Sequence, residues 1–131
     1  METAFRADLA AWLRADPVLA GTVNAVLEEG PAPASPPFIA IVASAGADWS
    51  TKTTAGRELR VALELIDRSD EPARTGRIAE AVERRIAVMA PQQSGYRICV
   101  TRFLRSRHER RPRALRAVLI EYRFCLIADP S

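Results

Sequence analysis

The chain has 131 residues, 48% of them hydrophobic and 27% charged, with a formal net charge of +3. That length suits one domain over residues 1–131, whose core removes roughly two-thirds of the unfolded surface from water. No apolar run nears the ~20 residues of a bilayer span, and two cysteines are too few for a disulfide framework or a metal cluster.

The N-terminus, METAFRADLAAWLRAD, is acidic at its start and has no unbroken apolar core, so it does not read as a secretory signal. It reads instead as a helix over 2–15, with Phe5, Leu9, Trp12 and Leu13 on one stripe. Asp16-Pro17 restarts the chain: Asp caps and Pro opens a short helical turn over 17–20, which Gly21 ends. Thr22–Leu27 is a weak strand, and EEGPAPASPP over 28–37 is a proline loop.

FIAIVAS over 38–44 is apolar enough for the inside of a sheet. Residues 45–55 are polar and turn-rich, a long loop or flap. Over 57–67, Leu59, Val61, Leu63 and Leu65 alternate with Arg60 and Glu64, the pattern of a half-buried strand. A turn at 69–75 leads into a helix with the stripe Ile78, Val82, Ile86 and Met89, stopped by Pro91. Its polar face holds Arg77, Glu80, Arg84 and Arg85, and Gly76 inside it costs about 1 kcal/mol relative to Ala.

Two long strands close the chain, over 95–105 and 114–127, with RSRHERRP as the hairpin tip between them. Val118, Ile120, Tyr122, Phe124 and Leu126 share one face of the second. Twelve strand residues reach roughly 40 Å, about the diameter of a compact domain of this size. The arm should therefore curl over the sheet or project from it. The order is α-(β)-β-β-α-β-β. It implies an α+β fold: a mainly antiparallel four- to five-stranded sheet, two helices packed on one face, and a long C-terminal hairpin.

The charge is polarised along the chain. Residues 1–96 hold ten Lys/Arg and thirteen Asp/Glu, whereas residues 97–131 hold nine Arg and three acids. Lys52 is the only lysine among nineteen basic residues, a skew that a G+C-rich genome explains better than selected arginine chemistry at each site. The stretch RSRHERRPR carries the electrostatic signature of phosphate binding, and equally that of a solvated loop. Against a single-strand reader stands the lack of any aromatic beyond Phe103 at its edge.

Little supports catalysis. His108 is the only histidine and lies among arginines. No phosphate loop, nucleophile elbow or Cys/His ligand spacing is present. Asp67, Asp70 and Glu71 read as charge and capping at a helix start. Cys99 and Cys125 lie in strand-like apolar stretches and read as small buried hydrophobes, while a disulfide between them is a question of geometry. Trp49, flanked by Asp48 and Ser50, reads as an interface anchor or as a Trp tucked onto its own core.

Segment order across nearly the whole chain resembles the tail terminator and tail-completion proteins of long-tailed bacteriophages and phage-derived gene transfer agents. The carriers are RADPVLA, PPFIAIVAS followed by GADWSTKTTAG, RELRVALELID, TGRIAEAVERRIAVM and RALRAVLIEYRF. The resemblance implies a structural virion protein, not an enzyme, without cofactors or metal. It implies a homo-oligomeric ring, a hexamer, that caps the tail tube and ends its polymerisation. The partners would be the tail tube protein and a head-tail connector protein, with DNA only as cargo in the channel and no membrane. The location would be the particle tail, assembled in the bacterial cytoplasm. Alternatives are another connector or stopper ring, or a small Arg-rich nucleic-acid-binding domain. A ring subunit needs two unlike patches that meet head to tail. Asp48, Trp49, Lys52, Arg105, Arg107, Arg110, Arg111 and Arg113 are the candidate contact residues of such a ring or of its tube interface.

Overall fold

A computed structural model describes residues 1–30 and 34–130. Helix α1 (Glu2–Arg14) leads through α2 (Pro17–Ala20) to β1 (Ala25–Leu27). Then come β2 (Phe38–Asp48), β3 (Gly56–Arg68), α3 (Pro72–Ala87), β4 (Tyr96–Arg111) and β5 (Leu115–Ala128). The five strands form one sheet in the order β1-β2-β3-β5-β4. Only β1 with β2 is parallel; the other three pairings are antiparallel, so the sheet is mixed but mainly antiparallel. Of the 28–37 proline loop, residues 31–33 lie outside the described residues.

The α2 turn forms as its sequence dictates. The Asp16 carboxylate accepts from the Leu19 amide at 3.0 Å, and Pro17 occupies a position that needs no donor. The helices pack on one sheet face. Phe5, Leu9 and Leu13 of α1 and Ile78, Val82 and Ile86 of α3 are buried against Leu59, Val61, Leu63 and Leu65 of β3. Val118, Ile120, Tyr122, Phe124 and Leu126 of β5 complete that core. Phe5 sits 4.6 Å from the Phe124 ring and 6.3 Å from that of Tyr96, so α1 is anchored over the sheet by aromatic contact.

Polar bonds fix the helix layer. The Trp12 indole donates to the Arg85 carbonyl at 2.8 Å, and Arg85 Nε donates to the Trp12 carbonyl at 2.8 Å. The Arg85 guanidinium also lies 3.5 Å from the Trp12 ring centroid. Arg85 is therefore no mere member of a solvated face: it clamps α3 to α1. The Tyr96 hydroxyl donates to Asp8 at 2.6 Å, joining α1 to the start of β4. Burial, with the Asp8 bond second, pushes the Tyr96 phenol far up, so it remains a donor. Asp67 is fully buried; it accepts from the Thr75 hydroxyl at 2.9 Å and from the Arg68 amide at 2.8 Å, binding the end of β3 to the first turns of α3. Asp70 and Glu71 are exposed beside it.

Three expectations need correction. The hairpin neither projects nor curls back, because β5 pairs with β3 from Ile127↔Gly56 to Leu115↔Arg68 and so runs through the middle of the sheet. RSRHERRP is not the turn: β4 continues through it to Arg111, and Pro112-Arg113-Ala114 closes the hairpin. The flap shrinks likewise, since β2 runs on to Asp48 opposite Arg57 and leaves only 49–55 as a loop. In each case a neighbouring strand satisfies backbone groups of residues whose polar side chains read as loop.

Candidate functional site

The sheet face away from the helices is built by strand alternation. Leucine and valine point into the core, so the intervening residues of β3 and β5 point outward. Cross-strand register then decides which charges meet. Arg105 lies opposite Glu121, and its Nε donates to the carboxylate at 2.7 Å. Arg123 donates to Glu58 at 3.0 Å. Arg111 reaches over β5 to Glu64 at 2.9 Å and back to Glu109 at 2.8 Å, while Arg107 meets Glu109 at 3.3 Å. These bonds hold Glu58, Glu109 and Glu121 below the usual carboxylate range, with Arg123, Arg111 and Arg105 respectively the main causes. Between the charges, Ala43, Ala45, Ala62 and Leu104 floor a shallow hollow of about 220 Å³ flanked by Arg60 and Glu121.

The eight candidate residues fall into two groups. Asp48, Trp49 and Lys52 sit at the β2–β3 end of the sheet. The Asp48 carboxylate accepts from the Ser50 hydroxyl at 2.6 Å, which is the chief reason its pKa is lowered. The Trp49 amide donates to the Gly56 carbonyl at 3.1 Å, and the Thr51 amide to Thr54 at 2.9 Å, so the loop is tightly folded. Lys52 is exposed at its tip and Trp49 is half-buried. Arg105, Arg107, Arg110 and Arg111 lie along β4, and Arg113 lies in the turn beyond. Since β3 spans the sheet with 13 residues, the two ends are roughly 40 Å apart. No single subunit brings these groups together.

Arg105, Arg107 and Arg111 hold in-chain carboxylates, whereas Arg97, Arg102, Arg110 and Arg113 have no ion pair among the described residues. His108 is exposed on β4 opposite Val118, in a strand and not at a loop tip. Sequence reasoning put Arg60 and Glu64 on the polar side of β3 but missed Arg97, Arg102, Glu58, Glu121 and Arg123 as parts of this face. The available signal was alternation: in both β3 and β5 the residues between the apolar ones are largely charged. Cys125 is buried, as expected, but Cys99 is exposed, because a bulge between Ile98 and Val100 turns it out of the ladder. Both thiols are free.

No helix among the described residues is long and apolar enough to cross a membrane. A search of curated proteins found no match. Among solved structures, the chain is similar to one from a virion of a native gene transfer agent particle, with 25% identity, 94% of each chain covered and a TM-score of 0.77. The family model described as tail completion protein gp17 matches residues 7–126. The chain belongs to this family of structural phage-tail proteins.

Proposed function

We propose that this chain acts as one domain and a tail terminator: it forms a homo-oligomeric ring, a hexamer, on the end of the tail tube. The ring ends tube polymerisation and presents its opposite side to the head-tail connector. DNA crosses its channel as cargo, and the chain performs no catalysis. Assembly in the bacterial cytoplasm, within a phage or a gene transfer agent, goes with this reading.

The observation that carries it is the match of the family model over residues 7–126, beside a fold shared with a gene transfer agent virion chain. The two sheet ends add support. One is a loop around Asp48 and Trp49 whose single acid and single lysine, Lys52, leave it neutral, the other an arginine turn around Arg113. Two unlike ends suit two unlike partners along a tail axis.

Electron microscopy of tails grown with and without this protein tests the proposal. Tails of uniform length are expected with it, and overlong polymerised tubes without it. Unchanged tube length in its absence overturns the terminator role.

A further inference from the structure

The sheet carries opposite charge at its two margins. Residues 15–51, which include β1 and β2, hold four acids and no Lys or Arg. Residues 97–116, which include β4 and the turn, hold eight Arg and a single Glu. Because the strand order is β1-β2-β3-β5-β4, these segments lie on opposite sides of the subunit.

Both margins also keep open backbone. Strand β1 pairs with β2 only from Phe38 to Ala40, so Val42–Asp48 has no strand on that side among the described residues. Strand β4 has none beyond it either, although residues 91–93 cover its first residues: Gln92 bridges Arg97, and the Ile98 amide donates to the Pro91 carbonyl at 2.7 Å, so the open edge begins past Ile98. β1 itself is closed: Arg14 donates to the Val26 carbonyl at 2.6 Å and Arg6 to the Glu28 carbonyl at 2.8 Å. Those two arginines are thereby occupied by backbone oxygen, and the Glu28 and Glu29 side chains remain exposed, with only a 3.8 Å approach of Arg6 to Glu29.

We propose that the β4 margin of one copy of this chain docks on the β1–β2 margin of the next, head to tail. This inference rests on the ring reading and assigns its contact. Register supports it. Leu27, Ala40, Glu64, Leu119 and Arg107 lie in one row across the sheet, so Glu28 and Glu29 stand level with the arginines around Arg107. Asp48, Arg57, Leu126 and Ile98 form another row, which sets Asp48 one residue away from the level of Arg97. A rotation about an axis along the strands keeps these levels and sets β4 antiparallel to the neighbouring β2. Bulges at Cys99 and Leu104 interrupt the β4 edge, so charge complementarity more than a continuous ladder carries the contact.

A charge-swap experiment tests this. One variant carries Arg102→Glu and Arg107→Glu; the other carries Glu28→Lys and Glu29→Lys. Sedimentation follows each alone and a 1:1 mixture, at low and high salt, with urea midpoints checking the fold. Wild type is expected to assemble and to loosen with salt. Each variant alone should need roughly tenfold or more concentration to assemble. The mixture should assemble like wild type, because each variant then meets the margin it complements. If a reversal lowers the urea midpoint, Gln at the same positions replaces it, with a weaker loss of assembly expected. Either variant assembling alone like wild type, or a mixture that stays dissociated, overturns this contact and leaves the ring reading standing. A wild type that is monomeric at every concentration and salt overturns both.

Discussion

Arg113 and Ala114 hold φ of 66° and 61°, in the left-handed region where a side chain costs about 1–2 kcal/mol. No glycine serves this turn, so the hairpin closes under local strain. Ala114 is exposed and gives up no packing if replaced. Ala114→Gly should therefore stabilise the fold by about 0.5–1 kcal/mol, net of the entropy glycine adds to the unfolded chain, and so raise the urea midpoint. A β-branched residue there should lower it. A lower midpoint for the glycine variant would mean that the turn is not left-handed at this residue.

At the scale of elements, the outer sheet face depends on carboxylates that are ionised against arginine. Glu121 has its folded pKa depressed, chiefly by the Arg105 bond. Such a group adds stability that is fully present above its unfolded value of 4.5 and fades as pH falls through the lower folded value. Glu121→Gln should thus lower the urea midpoint at pH 7 and at pH 6 by the same small amount. The gap to wild type should close as pH falls from 4.5 through the lower folded value. Arg105 is largely solvated and Glu121 partly so, so high salt should shrink the pH 7 gap as well. A gap that persists at the lowest pH would assign the effect to packing and not to charge.

For the whole molecule, the sheet is long and the helix layer is what makes it a body. That layer has one reciprocal lock, Trp12 with Arg85, at 2.8 Å in both directions. Arg85→Ala removes a charged donor and a cation–π contact and leaves the Trp12 carbonyl without its partner, a loss of about 2–3 kcal/mol. The denaturant midpoint should fall with an unchanged slope, which would show lost stability in an otherwise similar fold. A changed slope would show that α1 had come free in the native state.

Much of this architecture was legible from periodicity. The apolar stripes of α1 and α3 and the alternation in β3 and β5 are local consequences of burial, and the Asp16-Pro17 cap is local stereochemistry. They determined the α+β class, the element order and which faces form the core. What only the tertiary structure decided is non-local. Whether RSRHERRPR was turn or strand depended on β5 offering Glu121 and Leu119 opposite Arg105 and Arg107, and whether Arg85 was solvated depended on where Trp12 docks. Hydrogen bonding between distant segments fixes such choices, and no window of sequence contains both partners. The charge polarity of the chain was visible in composition. That it becomes opposite margins of one sheet follows from strand order alone, because the acidic β1–β2 segment and the arginine-rich β4 take the two outermost places.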